Sequence, residues 1–511
     1  MKILSSQQIK QADSFTIENE PISSGNLMER AAQCCTNWIE ERFDKNFSFS
    51  IVCGLGNNGG DGLAIARILA QKGLQITVYI IEHSLNKSAD FIENETRLKL
   101  LSLDNITIHY ISKSSELKNL FSSFHNHVII DAIFGIGLNK PTEGLVKECI
   151  QLINNTGLPV ISIDIPSGLY CDTLNKTTDT IIQANYTLTF QQPKLSFMFP
   201  EAADCIGVFS ILNIGLNTDF INRTQSSFYF TTQHDVLSFL KTRPQAAHKG
   251  TFGHALIAAG SYGKMGAAVL AAKACMRSGV GLLTVHIPKS GYEILQTALP
   301  EAMAVTDSEE LYICNQLNQD KYNAIGIGPG IGTNTETQNV LKSLIQNTTV
   351  PLIIDADAIN ILSENKTWLA FLPGNTILTP HPKEFDRIAG SSETSEERLK
   401  KQQEFSIKNK CYIVLKGKNT SISCPNGDIH FNSTGNPGMA TGGSGDVLTG
   451  IITSLVAQNY NALQACILGV YIHGMAGDFA AIELSQESMI ASDIINNLSK
   501  SFTYLHTTAS I

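Results

Sequence analysis

The chain has 511 residues, too many for one ordinary hydrophobic core, so two or three domains are expected. A hydrophobic share of 43% beside 16% charged residues argues against a disordered polypeptide. The net charge of −9 leaves no basic footprint for nucleic acid.

At the N-terminus, "SSQQIKQAD" and "NLMERAAQCCTNWIEERF" read as two helices, the first capped by serine. "MKILSSQQIKQADSF" lacks the apolar run of a secretory signal. No stretch of about 18 apolar residues is apparent, so no membrane span is expected. Eleven cysteines without a C-x-x-C pair suit reduced thiols, and a cytoplasmic location is expected.

Five apolar, β-branched runs follow: "FSIVCGLG", "QITVYIIE", "HVIIDAIFG", "LPVISIDIPSGL" and "NYTLTFQQPK". They alternate with helical segments, the signature of a parallel sheet covered on both faces. The pattern weakens at "NTDFINRTQSSFYFTTQ". The expected organisation is therefore a domain over residues 1–218, a linker over 219–233 and a second domain over 234–511. The second α/β set runs through "GHALIAAG", "GLLTVHIP", "YNAIGIGPG", "PLIIDADA", "NTILTPHPKEF" and "CYIVLKGKNT". Apolar helices around residues 447–457 and 465–481 read as buried core.

Ligands of open α/β sheets sit beyond the carboxyl ends of the strands. Residues 54–61, 131–138 and 164–168 hold that position in the first half. In the second half it falls to 328–332, 355–357, 379–382 and 416–420, with 442–446 opening a helix.

Gly54, Gly56 and Gly59 fit G-x-G-x-x-G, a turn whose backbone N–H groups attract anions. Glu82 ends the next strand, where the ribose acid of an NAD enzyme would sit, so hydride transfer is one reading. Asn57 and Asn58 oppose it, because they put large polar groups where backbone must approach a pyrophosphate. Asp131 and Asp164 also end strands; such residues often cap turns. With Asn58 they converge on one sheet edge. Oxygens of Asn58 and Asp131 suit a hard cation, leaving Asp164 for proton transfer or a substrate hydroxyl.

"GLGNNGGDGLAIARIL", "DAIFGIGL", "IDIPSGL" and "LTFQQPK" closely resemble the epimerase domain of the NAD(P)H-hydrate repair enzymes. The resemblance implies a Rossmann-like three-layer α/β/α fold. It implies that Asn57, Asn58, Gly59, Gly60 and Asp61 contact the hydrated dinucleotide. Gly135, Ile136, Gly137, Leu138, Asn139, Lys140, Pro141 and Asp164 would line the rest of the pocket. Asn58, Asp131 and Ser167 would surround a potassium ion.

In "NPGMATGGSGDVLTGII", Gly442, Gly443 and Gly445 leave backbone N–H groups open at the head of an apolar helix. That suits a transferring phosphoryl group, with Asp446 placed to deprotonate a hydroxyl. A glycine loop with an acidic cap is the simpler alternative. His381, fixed between Pro380 and Pro382, is presented at a strand end. The segment resembles the anion hole of the ribokinase-like superfamily. With "HKGTFGHALIAAGS", "IGPGIGT", "LIIDADAINIL", "TPHPKEF" and "VLKGKNT" it resembles the NAD(P)H-hydrate dehydratase branch. That resemblance implies a ribokinase-like α/β domain. It assigns Ala267, Gly330, His381 and Asp446 to the hydrate, and Lys416, Gly417, Lys418, Asn419, Thr420 and Gly445 to the adenine nucleotide. Asp355 and Asp357 either serve Mg2+ through water or only terminate their strand.

The expected activity is repair of NADH and NADPH hydrates: epimerisation of the R and S forms, then dehydration of the S form. ADP is the expected co-substrate, because a fused two-domain chain resembles the bacterial kind. Small molecules are the expected partners, with neither nucleic acid nor membrane, and a homo-oligomer is expected. Two rivals are a small-molecule kinase with an N-terminal nucleotide-binding regulatory module, and a first domain that only binds.

Overall fold

The computed structural model describes residues 1–101, 103–120 and 126–509. The chain forms two compact units, one of Lys2–Ser226 and one of Met1 with Ser227–Ile511.

The first unit carries β1 (Ser48–Cys53), β2 (Gln75–Ile81), β3 (Ile106–Ile111), β4 (His127–Ala132), β5 (Val160–Ile163), β6 (Tyr186–Phe190) and β7 (Val208–Leu212). They form one parallel sheet in the order β3-β2-β1-β4-β5-β6-β7. The strand order reverses between β1 and β4, so a crevice opens beyond their carboxyl ends. Successive residues of these strands feed opposite cores, as the strand period demands. Ile51, Cys53, Val128 and Ile130 pack with Leu63 and Ile65 on one face, whereas Val52 and Ile129 pack with Val146 and Ile150 on the other. The helix Ser6–Asn19 starts at a Ser5–Gln8 capping box, as the serines suggested.

The second unit carries β8 (Phe228–Phe230), β9 (His254–Ala258), β10 (Leu282–Ile287), β11 (Met303–Thr306), β12 (Ala324–Ile327), β13 (Leu352–Ile354), β14 (Ile377–Leu378), β15 (Tyr412–Leu415), β16 (Ser421–Ser423) and β17 (Ile429–Phe431). Their order is β11-β10-β9-β12-β13-β14-β15-β16-β17-β8. Only β16 runs antiparallel to its neighbours. The span 219–233, read as a linker, holds most of the helix Thr218–Arg223 and all of β8, which pairs in parallel with β17. Tyr229 of β8 stacks on His430 at 4.8 Å between ring centroids, which holds this short aromatic strand in the second sheet.

The helices Ser444–Ala457 and Ala462–Leu484 fill the centre of the second unit, as expected of core helices. Among the described residues Ala462–Leu484 is long and apolar enough to cross a membrane, and 78% of its most apolar window is buried inside the protein. All eleven cysteines are free.

Candidate active sites

In the first unit the helix Asn57–Gln71 starts directly after β1, and its N-cap Gly56 supplies no side-chain cap. The glycines have separate causes. A Cβ on Gly59 would lie 1.9 Å from the Gly54 carbonyl oxygen, and one on Gly54 would lie 2.1 Å from that of Ile133. Gly56 faces open space. Two glycines are thus required by the fold of the turn, and the third leaves the helix head open to a ligand.

Asn58 is buried and donates from Nδ2 to the Phe134 carbonyl at 3.0 Å. Asp131, at the end of β4, is fully buried. Its carboxylate accepts from Ser162 Oγ at 2.8 Å, Ser167 N at 2.8 Å and Ser167 Oγ at 2.5 Å. Ser167 Oγ also accepts from Phe134 N at 2.8 Å. Asn58, Asp131 and Ser167 therefore meet around the Phe134 peptide. Burial pushes the Asp131 carboxyl up, against those hydrogen bonds. Gly135, Ile136, Gly137, Leu138, Asn139, Lys140 and Pro141 form the half-buried to exposed loop that follows, with Gly135 against Asn58.

Asp164 directly follows β5, in the left-handed region with φ of +65°. It pairs with Lys194 at 2.8 Å and accepts from Phe190 N at 3.2 Å. Lys194 also donates to the carbonyls of Phe190 and Gln192, both at 3.3 Å. Two more carboxyls feel Asp164. Burial, then the Asp164 charge, push Asp13 up to about 7, with Lys194 opposing. Burial, then Asp164 and Asp13, push Asp61 well above the carboxylate range. One lysine cannot neutralise three carboxyls, so a proton is retained among them near neutral pH. That supplies an acid beside a base. Sequence reasoning missed Asp13 and gave Lys194 no role, although Lys194 closes "LTFQQPK".

In the second unit the helix Ser444–Ala457 starts at Gly443, whose φ of +92° favours glycine. Gly442 faces open space, and a Cβ on Gly445 would lie 3.1 Å from Lys416 Nζ. Asp446 sits in the first turn. Burial pushes its carboxyl up to about 6; Asp355, Asp357 and Glu384 add to this and Lys416 opposes it. Lys416 pairs with Asp355 at 3.0 Å. Burial disfavours its ammonium, but Asp355, Glu384 and Asp446 outweigh burial and hold it above the ordinary range.

The remaining candidates gather around this group. Asp357 pairs with Lys264 at 3.1 Å and accepts from Gly332 N at 2.9 Å. Gly330, at φ +66°, would place a Cβ 3.0 Å from the Lys264 carbonyl oxygen and 3.2 Å from Ala267 Cβ. His381 is the N-cap of the helix Pro382–Ala389: Nδ1 accepts from Lys383 N at 3.1 Å and Glu384 N at 3.3 Å. Buried Glu384 closes the box by accepting from His381 N at 2.8 Å. The flanking prolines are thus only half of what fixes this ring. Past β15, Thr420 Oγ1 bonds the Gly417 backbone and Asn419 donates to the Asn432 carbonyl at 3.0 Å, which shapes the turn that exposes Lys418. Asp355 is committed to Lys416 and, at 2.6 Å, to Thr449 Oγ1.

Residues 255–500 match the family described as NAD(P)H-hydrate dehydratase, and residues 24–196 match the one described as YjeF-related protein N-terminus. The bifunctional NAD(P)H-hydrate repair enzyme of Moorella thermoacetica is 33% identical over 98% of this chain and 96% of its own. That of Thermofilum pendens is 32% identical over 99% and 97%, and that of Escherichia coli 29% identical over 93% and 88%. Among solved structures, the ADP/ATP-dependent NAD(P)H-hydrate dehydratase of Bacillus subtilis is 32% identical with a TM-score of 0.49, covering 54% of this chain and 98% of its own. By its full-length likeness to these curated proteins, the chain belongs to the family of bifunctional NAD(P)H-hydrate repair enzymes.

Proposed function

We propose that the first unit interconverts the R and S hydrates of NADH and NADPH, and that the second dehydrates the S hydrate with ADP as phosphoryl donor. The observation that carries the second half is Asp446 at the head of an open glycine loop, beside the Lys416 ammonium. A hydroxyl on the reduced nicotinamide ring is a poor leaving group. Asp446 takes its proton as the oxygen attacks the terminal phosphorus of ADP, and AMP leaves. The N–H groups of Gly443 and Gly445, with Lys416, meet the charge on the transferred group. Expulsion of phosphate by the ring nitrogen's electron pair and loss of the C5 proton then restore the double bond.

Epimerisation needs only proton traffic. A protonated carboxyl gives its proton to the C6 hydroxyl, which leaves as water while the ring nitrogen supplies electrons. Water adds back on the other face, and a carboxylate takes the surplus proton. The Asp13, Asp61 and Asp164 group, with Lys194 holding Asp164, suits both steps.

A potassium ion fits the donor set of Asn58, Asp131 and Ser167, which combines one carboxylate with neutral oxygens at the same loop. Bound there, it would balance the Asp131 charge and order the substrate turn. Magnesium would arrive with the nucleotide. The cytoplasmic setting belongs to the same proposal, and the free cysteines suit it.

The test is return of dihydronicotinamide absorbance from purified hydrate with ADP, with ATP and with neither. Recovery only with a nucleotide supports the reading, and no recovery with either one overturns it.

A further inference from the structure

At the amino-terminal edge of β9 and β10, opposite to Asp446, the second unit has a half-open cavity of about 550 Å³. The helices Met265–Arg277 and Ser444–Ala457 end there. Ligand pockets are typically about 300–1,000 Å³, so the space suits a small metabolite. Lys241, Arg243 and Arg277 line it with Phe252, Tyr460 and Phe502, and no lining residue is acidic.

In a chain of net charge −9, three cations around one cavity call for an explanation. Helix capping accounts for part of it. Lys241 donates to the Asn459 carbonyl at 2.7 Å, and Arg243 donates to that of Gly279. Carbonyls are dipoles and leave both charges uncompensated. Arg277 is exposed, and no hydrogen bond or ion pair to a described residue holds it. The arginine is also given room: Gly279 has φ of +96°, and a Cβ there would lie 2.3 Å from Arg243 Nη2. Lys241 lies 4.3 Å from the Tyr460 ring centroid and Arg243 4.0 Å from that of Phe252, so charge and aromatic surface alternate along the wall. Cations answer phosphate, and the rings and guanidinium planes answer a heterocycle.

We propose that this cavity is a second nucleotide site, taking a phosphate-bearing aromatic ligand of mononucleotide size. Gln458 lines it at the tail of the helix that carries Asp446 in its first turn, about 18 Å away at 1.5 Å per residue. The two sites thus occupy opposite ends of one rigid element. The inference stands apart from the reaction assigned above.

The test is photo-cross-linking of the full chain with 8-azido-AMP, followed by peptide mapping. Labelling is expected within residues 241–252 or 458–460, separate from any at 416–420, and unlabelled AMP should displace it. Arg277→Glu should weaken cavity labelling about tenfold, the loss that follows one charge-assisted hydrogen bond, while sparing the 416–420 turn. Arg243→Gln, which keeps a donor for the Gly279 carbonyl, should act the same way. A melting curve of each variant separates lost binding from lost fold. Labelling confined to 416–420 overturns the proposal. So does cavity labelling unchanged in folded Arg277→Glu, or displaced by adenosine as well as by AMP.

Discussion

Lys194 Nζ lies 2.8 Å from Asp164 Oδ1, and the lysine side chain has no solvent exposure. Removing one member of a buried pair strands the other charge. Lys194→Met should therefore destabilise the first unit by about 3–5 kcal/mol. Urea unfolding of the full chain at neutral pH reads this directly, and a change below about 1 kcal/mol would show that solvent already screens the pair.

Asp164 and Asp446 sit in different units, so their lesions should separate. With mixed R and S hydrates and ADP, Asp164→Asn should consume the S share at the normal rate and then slow to the uncatalysed rate of epimerisation. Asp446→Asn should lose dehydration by about 10²–10⁴-fold and still equilibrate the two forms. Full consumption by Asp164→Asn at the wild-type rate, above the enzyme-free background, would remove Asp164 from the mechanism.

Asp446 titrates near 6 in the fold, chiefly because of burial, against an ordinary value of 3.8. Between those values the folded chain holds a proton that the unfolded chain has lost, so stability falls as pH rises through the window. Asp446→Asn should be the more stable protein above pH 6, by on the order of 1–3 kcal/mol, and indistinguishable below pH 4. Dehydration by wild type should rise through pH 6 as the base ionises. Denaturation midpoints and initial rates from pH 4 to 8 check both halves, and equal midpoints at pH 7 would contradict the burial argument.

The glycines of the first turn should differ sharply. Gly59→Ala drives a Cβ to 1.9 Å from the Gly54 carbonyl oxygen, whereas Gly56→Ala meets nothing within 4 Å. The first should cost at least about 1–3 kcal/mol, and the second should melt with wild type. Epimerisation by Gly56→Ala then reports whether the open helix head receives substrate.

If Asn58, Asp131 and Ser167 hold potassium, epimerisation should rise with added potassium and not with equal sodium. Asp131→Ala should abolish that response and weaken hydrate binding. An ion-independent rate in carefully desalted wild type would leave Asp131 as a loop anchor only.

The two glycine loops were legible in the sequence because each is contiguous and needs a residue type that nothing else replaces. Asp131 and Asp164 were legible as acids closing apolar runs. Asp13, Lys194 and Glu384 were not, because their importance is burial beside a distant charge, and neither quantity has a local pattern. His381 was half legible: the prolines pointed to a fixed ring, but the capping box that fixes it needs the helix to be seen. The edge strand β3 escaped notice for a related reason, since only Ile111 of it is buried and its residues include His109 and Tyr110. In the same way β8, three aromatic residues between serine and threonine, passed for part of a linker.

The pairing of β8 with β17 sets an order of events on the ribosome. Phe228 aligns with Ile429, about two hundred residues later. At roughly 5–20 residues per second, β8 waits some 10–40 s after emerging before its partner is made. Throughout that interval the strand can pair only with the backbone of Met1, through Phe230, and its β17 side stays open; such unpaired edges are the segments on which nascent chains associate. Completion of this unit is a late, long-range closure, so its yield in a cell depends on what shields Phe228, Tyr229 and Phe230 during translation.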